Sequence, residues 1–307
     1  MHNHNHHIRN QLRGKKLVIS ISLNLLITLI QIIGAIFANS LALLSDAFHN
    51  FSDTSSLLLS YIANRLTQKK STKNQTFGYK RAEIIAAFIN SSILLVVGAL
   101  LIFESFQRII YKPENNINAV LVMFMAAFSI VANGISVLIL KQDAQSNLNI
   151  RSSYLHLFTD MLSSIAVLLG GVAIYFYNLY IIDPILSIAI AIYLMIFGWK
   201  LVVQSLKVLM QFTPQGMDIE AIAKDLTSFK EVKNIHHGHL WQLTDQEFMF
   251  EAHIDFEEDI PISKACTIMT KMRERLSQKY HIYHATFQPE FDVSCNSDLI
   301  YQDYPDN

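Results

Sequence analysis

Two pairs of ionisable residues repeat with one spacing in apolar surroundings. His49 and Asp53 are four residues apart, and His156 and Asp160 repeat that interval. In an α-helix this interval is about 40° of rotation and about 6 Å of rise, so each pair projects from one helix face. Two such helices facing each other offer two imidazole nitrogens and two carboxylate oxygens. This is a donor set for a tetrahedral Zn²⁺.

A histidine and an aspartate on one helix can also satisfy each other across a turn. Ionisable groups inside a membrane helix cost about 2.5–3.5 kcal/mol each, however, and two coincidental pairs on separate helices would have to be tolerated together. No thiolate accompanies the pairs, and nitrogen and oxygen ligands release an ion more readily than soft sulfur does. The pattern therefore predicts a metal transport site.

The composition indicates a membrane protein. Of 307 residues, 51% are hydrophobic and 16% are charged, and the net charge of -1 argues against nucleic-acid binding. A membrane-spanning helix needs about 20 mainly apolar residues. The predicted spans are Leu17 to Ala38, Leu41 to Ile62, Ala82 to Phe106, Asn118 to Leu140, Tyr154 to Tyr175 and Ile181 to Val203.

Basic residues in the short loops predict the orientation of these six spans. The N-terminal segment, the loop that carries Arg65, Lys69 and Lys73, the loop from Lys141 to Arg151 and the tail after Lys207 fall on one side. Loops rich in Lys and Arg stay in the cytoplasm. Both termini are therefore predicted to be cytoplasmic, in a multi-pass protein of the inner membrane.

The hydropathy falls after about Gln211, where a soluble domain is predicted. Helical periodicity covers Asp218 to Phe229 and Ser263 to Tyr280, and strand-like runs cover Val232 to Leu243, Glu247 to Phe256 and Tyr283 to Gln288. The order αββαβ predicts a small two-layer sandwich. The predicted domains are a His-rich tail (1–15), a six-helix membrane domain (16–210), a cytoplasmic α+β domain (211–292) and a flexible end (293–307).

Several motifs together resemble one family, the cation diffusion facilitators. Residues 39–53 read NSLALLSDAFHNFSD, residues 77–83 read FGYKRAE, and Asp183-Pro184 stands at the start of the sixth span. His156 and Asp160 match the family's fifth-span ligand pair. Further matches in the tail are His236, His239-Leu240-Trp241, His253 and the segment from His284 to Glu290.

The resemblance implies a transporter that exchanges Zn²⁺ or a related ion for protons. It also implies a homodimer, joined partly through cytoplasmic ferredoxin-like tails. Histidine at the first ligand position, here His49, goes with zinc-preferring members. Two departures stand out: the loop from Leu66 to Thr76 lacks His, Asp, Glu and Cys, and Gln211 replaces an acidic residue that forms a salt bridge across the dimer.

Two further metal sites are predicted outside the bundle. His236, His253, Cys266 and His284 fall where the family often binds regulatory metal, and imidazole and thiolate are good zinc ligands. Scattered, solvated histidines on strands are the alternative. The N-terminal tract, with His2, His4, His6 and His7, suits metal capture, and an expression tag is its alternative.

The predicted function is export of Zn²⁺ from the cytoplasm by alternating access, coupled to proton entry. Metal and proton compete for the same histidine nitrogen, because a metal binds only the neutral ring. Cd²⁺, Co²⁺ and Fe²⁺ remain open as substrates. A membrane metal sensor and a membrane-embedded metallohydrolase are the rival classes, although the chain has no HExxH motif.

Overall fold

Long helices occupy the positions at which the sequence predicts membrane spans. The computed structural model describes residues 24–67, 69–111, 116–140, 148–292 and 298–300. Over these ranges six helices precede the soluble domain, and α1 is described from Asn24 onward. Their bounds are Asn24–Ala38 (α1), Leu41–Thr67 (α2), Ala82–Tyr111 (α3), Ala119–Leu140 (α4), Leu148–Tyr177 (α5) and Ile182–Leu209 (α6).

Three helices in the described ranges are long and apolar enough to cross a membrane. They are Ala82–Tyr111, Phe158–Tyr177 and Ile182–Leu209, and shorter apolar helices cover Asn24–Ala38 and Ala119–Ile135. The 27-residue helix α2 is not among them, since it carries Asp46, His49 and Asp53 in its apolar sequence. The chain thus has a helical transmembrane domain, and the count of six spans stays a prediction.

The start of α2 is held by a buried carboxylate from α6. Asp183 accepts hydrogen bonds from the backbone N–H of Leu41 (2.8 Å) and Ala42 (3.4 Å) and from the hydroxyl of Ser40. The first N–H groups of a helix lack partners within it, and a carboxylate there also opposes the helix dipole. This contact fixes α2, the helix with the first predicted ligand pair, against the beginning of α6.

Small residues allow α1, α2, α4 and α5 to approach closely. Ala35 and Ala38 of α1, Ala42 of α2 and Ala126 of α4 are almost completely buried in one cluster. A Cβ added to Gly171 of α5 would lie 3.0–3.2 Å from side-chain atoms of Met123 and Val122 in α4. Such contacts are typical of membrane helices, in which dispersion rather than the hydrophobic effect drives association.

The soluble part has the predicted order αββαβ. Its elements are α7 (Ile219–Thr227), β1 (Val232–Gln242), β2 (Phe248–Phe256), α8 (Ile262–Tyr280) and β3 (His284–Glu290). In the three-stranded sheet β2 is central, antiparallel to β1 and parallel to β3. Both helices contribute to one core beside the sheet, which includes Ile222, Leu226, Met272 and Leu276.

Alternation along the strands separates two faces of this sheet. Phe250, Ile254 and Phe256 of β2 are buried in the helix-covered core, so the intervening Glu251 and His253 point to the opposite face. A bulge in β1 adds one residue between His236, which pairs with His253, and His239, which pairs with Glu251. His237 has a positive φ of 50° there. The extra residue keeps both Ile235 and Leu240 in the core.

An ion-pair group on the surface joins α7 to α8. Asp225 Oδ1 lies 3.0 Å from Lys279 Nζ and 3.2 Å from Arg275 Nη1. Partial burial raises the pKa of Asp225, but the Lys279 hydrogen bond and the two positive charges outweigh it and hold that pKa below its usual value. Ionised Asp225 therefore helps α7 and α8 to pack side by side at neutral pH.

We expect Asp183→Ala to destabilise the membrane domain by about 1–3 kcal/mol, because two backbone N–H groups and a hydroxyl lose their buried acceptor. The melting temperature of the detergent-solubilised protein should fall in a differential scanning fluorimetry assay. Glu104→Ala is the matched control, since that carboxylate is half-exposed and pairs with Arg108 one turn away on α3. Equal melting temperatures for Asp183→Ala and wild type would show that the contact does not stabilise α2.

Candidate metal sites

His49 lies between two carboxylates that come from two helices. Its Nε2 is 2.9 Å from Asp160 Oδ1 of α5, and its Nδ1 is 3.7 Å from Asp53 Oδ2 of α2. The side chains of His49 and Asp160 are only 6% and 5% exposed, whereas Asp53 is 28% exposed. The structure therefore joins three of the four predicted ligands in one group, in which His49 and Asp160 are buried and Asp53 is partly exposed.

Potential ligand atoms of His49, Asp53 and Asp160 all lie within 4.8 Å of one another. In a tetrahedral zinc site with bonds of about 2.0–2.1 Å, neighbouring ligand atoms are roughly 3.3 Å apart. For an ion to bind between His49 Nε2 and Asp160 Oδ1, these two atoms must therefore move apart by a few tenths of an ångström from their present 2.9 Å. The group is close to a metal-binding arrangement.

His156 lies on α5, one turn before Asp160. Its side chain is outside the part of the chain whose side chains the structure describes, so its role as fourth ligand stays a prediction. The N-terminal residues His2, His4, His6 and His7 also lie outside the described residues.

The helix α6 supplies an aromatic wall that the sequence did not indicate. The ring of Tyr193 meets the His49 ring edge-on, with centroids 6.0 Å apart and planes at 81°. Tyr193 lies in a long apolar run, where an aromatic residue carries no signal of function. Only the packing of α6 against α2 reveals its position beside the group of His49, Asp53 and Asp160.

Asp46 lies one turn before His49, toward the start of α2. Its side chain is buried, with Ser163 donating to Oδ1 and Ser164 donating to Oδ2 at 3.0 Å. Ser164 is also 2.8 Å from Ser129 of α4. Asp46 does not cap the helix, because α2 begins five residues earlier and Asp183 binds its first N–H groups.

A second group of ligand atoms forms on the open face of the sheet. Glu290 of β3 lies between two histidines: its Oε2 is 3.1 Å from His236 Nε2, and its Oε1 is 2.8 Å from His253 Nδ1. Their potential ligand atoms also lie within 4.8 Å of one another. Two of the four predicted tail ligands, His236 and His253, therefore meet, and a carboxylate outside the predicted set joins them.

The other two predicted tail ligands, Cys266 and His284, lie elsewhere in the described chain. Cys266 is exposed on α8, the helix that packs on the opposite face of the sheet. His284 pairs in register with Met249 at the far end of β3, six residues or about 20 Å along the strand from Glu290. Neither residue is part of the His236, His253 and Glu290 group.

Strand alternation could have indicated only the sheet face on which Glu290 lies. Glu290 stands six residues after His284, so the two share a face of β3, but a period of two does not say which β2 residue lies opposite. The parallel register, with Asp255 opposite Glu290 and Gln288 opposite His253, brings Glu290 diagonally beside His253. That register depends on how α8 returns the chain to the sheet.

The architecture and the buried histidine–carboxylate group define a helical membrane protein with the side chains to bind a divalent cation. Residues 17–210 match the cation efflux transmembrane domain, and residues 214–291 match the cytoplasmic domain of cation efflux proteins. The chain therefore belongs to the cation efflux family, the cation diffusion facilitators, as its motifs predict. Members of this family are transporters rather than enzymes.

Similar proteins extend over nearly the whole chain. The cadmium, cobalt and zinc/H(+)-K(+) antiporter of Bacillus subtilis (strain 168) is 34% identical over 301 residues, which are 97% of this chain and 94% of the relative. The zinc transporter ZitB of Pectobacterium atrosepticum is 32% identical and covers 96% of this chain and 91% of its own length. The metal cation efflux system protein CzcD of Cupriavidus metallidurans is 28% identical, with coverages of 94% and 89%.

We expect Glu290→Gln to weaken zinc binding at the tail group by at least about tenfold, because the shared carboxylate bridges both histidines. The measurement is a zinc titration of the full-length protein in an Asp53→Ala background, so that the intramembrane group does not dominate. His284→Gln is the control, since it lies on the same sheet face at the far end of the strand. A larger loss from His284→Gln than from Glu290→Gln would contradict this ligand set.

Proposed function

We propose that the chain exports Zn²⁺ from the cytoplasm in exchange for protons. The observation that carries this proposal is His49 between Asp53 and Asp160, buried among helices of the transmembrane domain. His156, one turn before Asp160, completes the proposed site as its fourth ligand. In the proposed alternating-access cycle, these four ligands are open to the cytoplasm in one conformation and to the other side of the membrane in the next.

Proton competition at His49 provides the coupling. A neutral imidazole has one N–H and can donate to only one of the two carboxylates, whereas a protonated ring can donate to both. Zn²⁺ binds the neutral ring and neutralises the same carboxylates. The site can therefore hold either a proton on His49 or a metal ion, but not both on one nitrogen, which makes proton entry a means of zinc release.

Zinc is the proposed substrate because the ligands are imidazole and carboxylate in a set of four. The names of the Bacillus subtilis and Pectobacterium atrosepticum relatives mention zinc, and that of the Bacillus subtilis relative also mentions cadmium, cobalt, protons and potassium. Cd²⁺, Co²⁺ and Fe²⁺ are the alternative substrates, since nitrogen and oxygen donors bind all of them.

The cytoplasmic domain is proposed to regulate transport and to join two copies of the chain. His236, His253 and Glu290 form a group on the sheet face that α7 and α8 leave uncovered, and His253, whose side chain is 26% exposed, gives a cytoplasmic zinc ion access to it. The positive-inside pattern of the loops supports cytoplasmic termini in a bacterial inner membrane. The match to the cytoplasmic domain of cation efflux proteins supports the homodimer.

In proteoliposomes with an imposed proton gradient, we expect zinc flux to be lost in Asp53→Ala and in Asp160→Ala, because each change removes a ligand and leaves His49 with only one of its two carboxylate partners. A zinc-sensitive dye in the lumen reports the flux. Glu104→Gln is the matched control, a half-exposed carboxylate of α3 that pairs with Arg108 rather than with the site.

The same assay separates the alternatives. Flux that persists in both aspartate variants would refute the site, and zinc binding without flux in wild type would favour a metal sensor. Parallel measurements with Cd²⁺, Co²⁺ and Fe²⁺ rank the substrates. Zinc flux without an opposing proton flux would leave the transport site intact but refute the exchange.

A further inference from the structure

Asp46 is a buried carboxyl group for which zinc coordination provides no role. It is 1% exposed and lies on the same face of α2 as Asp53, two turns earlier. Over the described residues its hydrogen-bond partners are the hydroxyls of Ser163 and Ser164, and no Lys or Arg in that part of the chain forms an ion pair with it. A buried carboxylate without a cation is costly, so its protonation state needs an explanation.

If Asp46 is ionised, the Ser163 hydroxyl has two acceptors within reach and one hydrogen to donate. Ser163 Oγ is within hydrogen-bond distance of both Asp46 Oδ1 and the Asp160 carbonyl oxygen, the latter at 2.9 Å. A hydroxyl has one hydrogen and can donate to only one of them. With Asp46 ionised, Ser163 therefore leaves one of the two oxygens without this donor.

A proton on Asp46 Oδ1 allows both contacts of Ser163 to be hydrogen bonds. The Asp46 O–H then donates to Ser163 Oγ, and the Ser163 O–H donates to the Asp160 carbonyl. On the other side, Ser129 can donate to Ser164, which lies 2.8 Å away, and Ser164 donates to Asp46 Oδ2. Each hydroxyl in this series of hydrogen bonds then donates once. The series links α2, α5 and α4.

The metal ligands are close enough for their charge to affect this proton. His49 stands three residues after Asp46 on α2, and Asp160 of α5 shares Ser163 with Asp46 through its carbonyl, while the described hydrogen-bond partners around Asp46 on α5 and α4 are the uncharged serines 163, 164 and 129. A divalent cation bound to His49 and Asp160 would place positive charge about one helical turn from Asp46. Its field favours the ionised carboxylate.

We propose that Asp46 carries a proton in the metal-free transporter and releases it when a divalent cation binds at His49, Asp53 and Asp160. The O–H bond of Asp46 breaks, its electron pair stays on Oδ1, and the proton passes to water. One exchanged proton is then held on a carboxyl group that does not bind the metal. This inference rests on the proposed transport function and adds a proton site to it.

The test is the number of protons released when zinc binds to the full-length, detergent-solubilised protein. Calorimetric titrations in buffers with different ionisation enthalpies measure that number. We expect Asp46→Asn to bind zinc and to release about one proton fewer per chain than wild type. Its amide N–H₂ can donate to Ser163 as the protonated acid does, so the hydrogen-bond chain is retained.

The pH dependence of affinity gives an independent readout. Wild type and Asp46→Asn should bind zinc equally well at acidic pH, and their dissociation constants should diverge by up to about tenfold per pH unit as Asp46 ionises in wild type. Asp183→Asn is the matched control: it alters another buried carboxylate near the same helix, and it should lower the melting temperature without changing the proton count.

The proposal is overturned if folded Asp46→Asn binds zinc and releases as many protons as wild type. If Asp46→Asn fails to fold or to bind, zinc-induced infrared difference spectra of wild type and Asp46→Glu decide. Wild type must lose a protonated carboxyl band when zinc binds, and Asp46→Glu must shift it. Absence of the band, or an unshifted band, refutes the proposal. If wild type and Asp53→Ala bind zinc equally well, the result would instead refute the proposed function.

Discussion

The contact between His49 and Asp160 is the interaction on which the membrane domain depends. A buried imidazole and a buried carboxylate would each be costly alone, and the cost falls when they meet across α2 and α5. Their separation of 2.9 Å requires the two helices to be in one register and at close approach. Alanine and glycine at the surrounding helix contacts allow that approach, and Asp183 fixes where α2 begins.

Two chemically distinct kinds of carboxylate environment can be compared in the bundle. His49, Asp53 and Asp160 carry atoms that a cation can share, whereas Asp183 is saturated by backbone N–H groups and a hydroxyl. A carboxylate with three donors at a helix start is a structural device, because it completes hydrogen bonds that the helix lacks. A carboxyl group suits transport only if its partners can be exchanged for a metal or a proton. By this criterion Asp53 and Asp160 suit transport, whereas Asp183 contributes to stability.

The cytoplasmic domain brings two histidines and a glutamate together by a different means. The helices cover one face of its sheet, and alternate strand residues point to the other. The bulge in β1 shifts this alternation by one residue, so that His236 and His239 both lie on the uncovered face while Leu240 is in the core. A regular strand could not place both Ile235 and Leu240 inside, since they are five positions apart and an odd interval puts two residues on opposite faces. The bulge therefore serves the core and the histidine group together.

Periodicity determined the element types, because a helix and a strand each leave their own apolar interval in the sequence. It predicted α7, β1, β2, α8 and β3 to within two residues at each end, and the i, i+4 spacing singled out His49, Asp53 and Asp160, whose ligand atoms the structure brings within 4.8 Å of one another. Local pattern does not contain distances between elements. Tertiary structure alone decided that Glu290 joins His236 and His253, that His284 is a strand length away, and that Tyr193 lines the buried group. The physical reason is that strand register and the contacts between helices depend on how all the elements pack together. Each segment of the sequence supplies only one of the surfaces that meet.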